Sequence, residues 1–310
     1  KYIVDKIQTE KYFIILDEIL KGTNSTDKAI GSKKFIERLV KSNSTGIIAT
    51  HDLSLCETAN QFEQVKNYYF DAEIENNDTW RIVEDIERLR EMCGHEQWQA
   101  FGGSWGATLA LAYAQKYPER VSEIVLRGVF LARQKEKDWL YSYGASEIMA
   151  EQWDDFAGLI PEAERGNLVQ AYYDRLTSDN EQVRLAAARE WSLWEGNVAT
   201  LLPNEELLGS FGDPAKAVPF ARICAKFFLK DFFLEEAQLL KDVDRIKHIP
   251  GIIVQGRHDI CTPPTSAWEL KKAWPEADLW IVHDAGHSAG EPGIIDGLVR
   301  ATDKLVGKQA

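Results

Sequence analysis

The sequence predicts an α/β fold: a parallel sheet with helices on both faces, interrupted by a helical insertion. Three observations carry this prediction. Strand-like and helix-like segments alternate from Thr79 to about Leu131, a helical and aromatic-rich stretch follows to about Leu240, and alternation then returns. Ahead of Thr79 lies a smaller segment with its own strand, helix and strand, and a composition unlike the rest.

In the first segment, YFIILDE is an apolar run ending in two acids and GIIATHD is a second one ending in His-Asp. Between them, SKKFIERLVK spaces its apolar residues as a helix does, so the unit reads as βαβ, and NYYFDAEI reads as a further strand. Composition then shifts near Asn76-Asn77-Asp78. All ten Trp, from Trp80 onward, and all ten Pro, from Pro118 onward, follow that point, and only one Arg, Arg38, precedes it. Two sequences of different origin explain such a shift; chance clustering is the plain alternative. Domains are expected at 1–78, at 79–131 with 241–310 as a sheet core, and at 132–240 as a cap.

Beyond the boundary, DTWRIVEDIERLREM has helical spacing, WQAFGG is strand-like, ATLALAYAQKY is a helix and SEIVLRGVF a strand. Within the insertion, VRLAAAREWSLWE is the clearest amphipathic helix. GIIVQG, SAWELKKAW and DLWIVH then restore strand, helix and strand.

The chain has 310 residues, 45% of them hydrophobic and 27% charged, and a formal net charge of −13. That charge argues against non-specific nucleic-acid binding, which needs a basic surface. The longest apolar runs fall far short of the ~20 residues that span a bilayer, so no membrane association is expected. Cys56, Cys93, Cys224 and Cys261 show no metal-ligand spacing, which suggests reduced thiols, a cytoplasmic protein, and neither metal nor cofactor. The chain starts with Lys and without a signal-peptide pattern, and reads as truncated there. Oligomeric state has no signature in the sequence.

Gly102-Gly103-Ser104-Trp105-Gly106 fits G-x-S-x-G between a strand and a helix, the context that motif requires. The glycines permit a sharp turn that raises the Ser104 hydroxyl above the sheet edge, and the Trp105 amide at the start of the helix is placed to receive an oxyanion. A glycine-rich βα turn with an incidental serine is the bland alternative. A nucleophilic serine needs a base, and the base an orienting carboxylate. Asp259 follows GIIVQG in GRHD, and His287 follows DLWIVH in DAGH, both at strand ends on the elbow's edge of the sheet. Asp244 and Asp284 compete with Asp259, and His258 and His283 with His287. The order Ser, Asp, His is that of the α/β-hydrolase fold, whose helical cap accounts for the ~155 residues between Ser104 and Asp259.

From about Thr79 to Leu305 the sequence resembles the prolyl aminopeptidases, or proline iminopeptidases, through DIERLR, FGGSWGATLALAYAQKYPERV, IVLRGVFLAR, WSLWE, IVQGRHDICTP and DAGHS. The resemblance implies a serine peptidase that removes N-terminal proline from peptides with Ser104, Asp259 and His287. It further implies that Glu195 in WSLWE binds the substrate's free amine, and that Trp105, Phe130 and Tyr141 hold the proline ring. An exposed helix charge and plain core aromatics are the alternatives for these residues. Where the family has R-I-E, this chain has Arg222-Ile223-Cys224, which removes a second amine-binding carboxylate.

Residues 1 to about 75 resemble the MutS-type mismatch-repair ATPases. YFIILDE is similar to their Walker B strand, with Asp17 in the magnesium position and Glu18 beside the attacking water. THD places His51 at a switch position, and LKGTNS resembles the signature loop. No G-x-x-x-x-G-K-[ST] occurs, so this P-loop ATPase type fragment lacks a phosphate cradle, and Asp17 and Glu18 are vestigial. The hydrolase part in turn has no counterpart of the family's strands before the elbow, nor of the H-G-G type loop that gives the second oxyanion donor. Loss of one such donor costs about 10²- to 10³-fold in kcat.

Overall fold

The computed structural model describes residues 13–17, 25–41, 45–49, 58–66 and 78–306. The chain divides into two compact units, Lys1–Ala72 and Glu73–Ala310. In the first, β1 (Phe13–Asp17) and β2 (Thr45–Ala49) pair in parallel, with Phe13 opposite Thr45 and Asp17 opposite Ala49. Helix α1 (Ser25–Val40) joins them, the βαβ order expected from the apolar runs. Asp17 closes β1; Glu18, His51, Cys56 and the NYYFDAEI segment lie outside the described residues.

The second unit opens with α2 (Thr79–Met92). Asp78 caps it, accepting a 2.8 Å hydrogen bond from the Arg81 amide and so satisfying one of the unpaired amides of the first turn. Then come β3 (Trp98–Ser104), α3 (Trp105–Lys116) and β4 (Val121–Val129). After the insertion, β5 (Gly251–Gly256) and β6 (Asp278–Val282) complete a parallel sheet of order β3-β4-β5-β6.

Successive residues of a strand face opposite sides, and the apolar content of β4 and β5 serves both. Ile124, Leu126 and Ile253 pack with Leu111 of α3 and with Leu270 of α12 (Pro264–Ala273, numbered after the insertion's helices). Val125, Ile252 and Val254 instead meet Ile294, Ala301 and Leu305 of α13 (Pro292–Val306), a helix that the sequence reading did not single out. β5 is buried along its whole length, which explains its unbroken apolar run.

The insertion comprises α4 (Gln134–Tyr141), α5 (Ala145–Ile148), α6 (Ala150–Gly158), α7 (Leu168–Leu176), α8 (Glu181–Val198), α9 (Glu205–Phe211), α10 (Pro214–Leu229) and α11 (Gln238–Lys241). Its core is aromatic. Phe156 stacks on Tyr172 at 4.4 Å between ring centroids, and Trp191 and Trp194 are fully buried beside them. Aromatic rings contribute large buried areas and offset or edge contacts, so this cluster gives the cap a core separate from the sheet's.

Candidate active site

Ser104 ends β3 and immediately precedes α3, with φ 57° and ψ −123°. Positive φ is uncommon for a residue with a side chain, and here it marks a sharp strand-to-helix turn. Gly102 makes the turn possible: a Cβ on it would lie 2.0 Å from the carbonyl oxygen of Gly106. The amide of Trp105 is the first of α3, unpaired within the helix and at its positive end.

The acid lies in the loop after β5. Asp259 is 3% exposed, and its carboxylate is held by the Thr262 amide (2.7 Å), the Thr262 hydroxyl (2.9 Å) and Gln255 Nε2 (2.9 Å). Gln255 also accepts from the Val129 amide at 3.0 Å, which ties the acid to the end of β4. Trp139 of the cap donates to the Ile260 carbonyl at 2.7 Å and pins the same loop from above.

The histidine lies in the loop after β6. His287 is 8% exposed and its Nδ1 is 2.9 Å from Asp259 Oδ2. An ionised carboxylate accepts, so Nδ1 carries the proton and Nε2 presents its lone pair. Gly128, at φ +52°, makes room for the ring: a Cβ there would stand 2.8 Å from His287 Nδ1 and Cε1. Glu291 braces the loop by accepting from the Gly286 amide at 2.5 Å and from the Leu201 amide at 3.0 Å. The competing residues Asp244, Asp284, His258 and His283 are exposed.

Asp259 and His287 are thus brought together, whereas His287 Nε2 faces Arg127 Nη1 at 3.1 Å. Among the described residues, Ser104 makes no hydrogen bond to His287. The Arg127 guanidinium also donates to the His287 carbonyl at 2.9 Å and lies over Gly103, whose Cβ would be 2.4 Å from Nη2. It forms no ion pair among the described residues, and burial pushes its pKa below the usual arginine value.

Four residues assigned by resemblance sit on the cap side. Glu195 of α8 accepts a hydrogen bond from the Tyr141 hydroxyl, and burial raises its carboxyl above the usual glutamate range while that bond partly offsets the rise. Phe130 and Tyr141 both pack on Phe228, at 5.9 and 4.7 Å between centroids, and Trp105 packs on Phe227 at 4.4 Å. Cys224 and Cys261 are free thiols whose pKa burial raises further, with Glu195 adding to the effect in both. A cavity of about 370 Å³ opens in the cap beside Tyr141, Trp153, Asp154 and Arg165; Ser104, Asp259 and His287 do not line it.

Sequence reasoning did not single out Arg127, Gly128, Gln255, Thr262 or Glu291. Two of them carried a signal: an arginine and a glycine side by side within an apolar strand are each a poor fit to a sheet core unless something approaches there. Among the described residues no group of His, Cys, Asp and Glu suits a metal, and no helix is long and apolar enough to cross a membrane.

Comparison with known proteins identifies the fold and the family. The α/β hydrolase fold family model matches residues 59–293. Two solved structures share the fold at low identity: a bromoperoxidase from Bacillus anthracis (TM-score 0.53, 15% identity, 96% of this chain and 92% of that one) and an alpha/beta fold family hydrolase from Bacillus anthracis str. Sterne (0.51, 17%, 97% and 92%). Curated relatives are far closer. The proline iminopeptidase of Xylella fastidiosa strain Temecula1 is 51% identical over 76% of this chain and 75% of its own length, that of Arabidopsis thaliana 52% over 75% and 62%, and that of Neisseria gonorrhoeae 44% over 75% and 74%. The chain therefore belongs to the α/β hydrolases and, within them, to the proline iminopeptidase family. It is a hydrolase of the serine peptidase kind. A MutS domain V model matches residues 1–96.

Proposed function

We propose that the chain is an aminopeptidase that releases proline from the N-terminus of peptides, with Ser104, His287 and Asp259 as its triad. The observation that carries this is the 2.9 Å bond from His287 Nδ1 to Asp259, which leaves Nε2 as the proton acceptor on the elbow's side of the sheet. Ser104 Oγ attacks the scissile carbonyl as His287 Nε2 takes its proton; Asp259 holds the tautomer and stabilises the imidazolium. The Trp105 amide receives the developing oxyanion. His287 then protonates the leaving amine, and water cleaves the prolyl ester by the reverse path.

Glu195 is the anchor for the substrate's cationic amine. It forms no ion pair among the described residues, feels only the charge of His287 when that ring is protonated, and as a buried carboxylate is relieved by an ammonium ion. Trp105, Phe130 and Tyr141 are assigned to the proline ring. Residues 79–103 hold no H-G-G type loop, so turnover is expected to fall about 10²- to 10³-fold below an enzyme with both oxyanion donors. For residues 1–78 we infer a MutS-like fragment fused to the hydrolase, supported by the domain V match, with Asp17 and Glu18 a remnant of Walker B and without ATP hydrolysis. Cytoplasmic peptides are the proposed partners, and nucleic acid is not one.

A prolyl-arylamide assay on this chain and on its Ser104→Ala variant tests the proposal. Release of the arylamine that disappears in the variant is expected; equal rates in both would refute it.

A further inference from the structure

We infer that Arg127 is a latch on the catalytic base: its guanidinium occupies the proton-accepting nitrogen of His287, and Ser104 becomes nucleophilic only when that side chain moves away. The inference rests on the triad reading above but not on the choice of substrate.

The geometry leaves one proton arrangement. Asp259 Oδ2 takes the Nδ1 proton, so Nε2 has a single lone pair to offer, and an arginine Nη1 3.1 Å away takes it. Arginine has no lone pair to give in return. A serine hydroxyl cannot transfer its proton to a nitrogen already bound to a cationic donor. The guanidinium is anchored a second time on the His287 carbonyl at 2.9 Å, so it is fixed on the histidine loop.

Its position over Gly103 sets it beside the elbow as well. Arg127 and Gly103 are partners in the β3–β4 register, so the side chain rises from the next strand directly over the residue before the nucleophile. A side chain at Gly103 would collide with it. Electrostatics act in the same direction, because a guanidinium beside the ring opposes the imidazolium that must form when Ser104 yields its proton. Among the described residues the guanidinium forms no ion pair, although the Asp259 charge beyond the ring attracts it and so favours its place against the histidine. A substrate that enters the elbow must displace it, and that displacement frees Nε2.

The test uses the full chain and a fluorophosphonate, which phosphonylates a serine only when its base is available and requires no proline recognition. The hydroxyl loses its proton to His287, the new P–O bond forms at Ser104, and fluoride leaves. Arg127→Met and Arg127→Gln are both examined, with folding checked by circular dichroism and a cooperative unfolding transition. A labelling rate about tenfold or more above the parent chain is expected, as for removal of a hydrogen bond to a charged group. A parallel shift of the His287 Nε2 nitrogen resonance, which a purely structural arginine would leave in place, is expected with it. Unchanged or slower labelling in a folded variant, or no labelling of any chain, overturns the latch. Faster labelling without prolyl-arylamide hydrolysis sustains the latch and refutes the substrate assignment instead.

Discussion

The Cβ that Gly128 lacks would stand 2.8 Å from Nδ1 of His287, closer than any side chain can approach without displacing the ring. The strand that carries Arg127 therefore also seats the imidazole, and the absence of a side chain at 128 is a condition of the Asp259 bond. Gly128→Ala adds strain at φ +52° and pushes the ring away from Asp259. A loss of kcat of about 10²-fold, with a stability loss of about 1–2 kcal/mol, is expected. Arylamide kinetics and urea unfolding measure the two separately.

Asp259→Asn keeps the shape of the acid but lets the amide donate toward Nδ1, which favours the wrong tautomer. A drop in kcat of about 10³- to 10⁴-fold is expected, with KM little changed. Thr262→Ala removes only one of the bonds that hold the carboxylate, so its effect should be far smaller, about 10-fold. Comparable losses in the two variants would contradict the role given to the carboxylate.

Glu195 supplies a prediction in pH. Burial raises its pKa in the folded chain, so the folded state binds the proton more readily than the unfolded one. The ionised form is then the unfavourable one. Stability tied to this residue is fully present below the ordinary glutamate pKa and is lost as pH rises through the raised value. Glu195→Gln should remove that part of the pH dependence in thermal unfolding, and raise KM for a prolyl substrate by about 10-fold or more through loss of the amine's partner.

Cys224→Glu places a second carboxylate within electrostatic reach of Glu195. Two buried carboxylates raise each other's pKa, and both gain from a bound ammonium ion. A lower KM for prolyl substrates is expected, with the acid limb of kcat/KM moved to higher pH. An unchanged KM would mean that position 224 does not face the amine.

In the cap, Trp191 is fully buried and stacked on Tyr141 at 4.6 Å. Trp191→Ala should cost about 3–5 kcal/mol, read from the denaturation midpoint, and should weaken prolyl binding by releasing Tyr141.

Much of this architecture was legible in the sequence because its signals are local. The elbow announces itself through glycines that only a tight turn requires, and β5 through an apolar run that only a two-sided strand tolerates. Asp259 and Asp284 both follow strands, so the sequence alone leaves them close rivals; what sets them apart is burial, Asp259 being enclosed and Asp244 and Asp284 exposed. Helix α13 carries no chemical motif, and its apolar face is recognisable only against β5, so the sequence does not mark it out. Arg127 escaped for a different reason: its partner is 160 positions away, and no spacing rule connects a strand residue with the far side of a histidine loop. The Gln255–Thr262–Asp259 cluster is equally a product of tertiary placement.

Glu291 gives the site a mechanical property. One carboxylate accepts from Leu201, in the segment between α8 and α9, and from Gly286, the residue before His287. A Cβ on Gly286 would lie 2.7 Å from the Leu201 amide, so the two backbones are in direct apposition. A shift of the Leu201 backbone would reach the backbone beside His287 through this one carboxylate. Glu291→Ala is expected to leave the strands and helices in place while uncoupling these two backbone segments, read as faster amide exchange at Leu201 and Gly286.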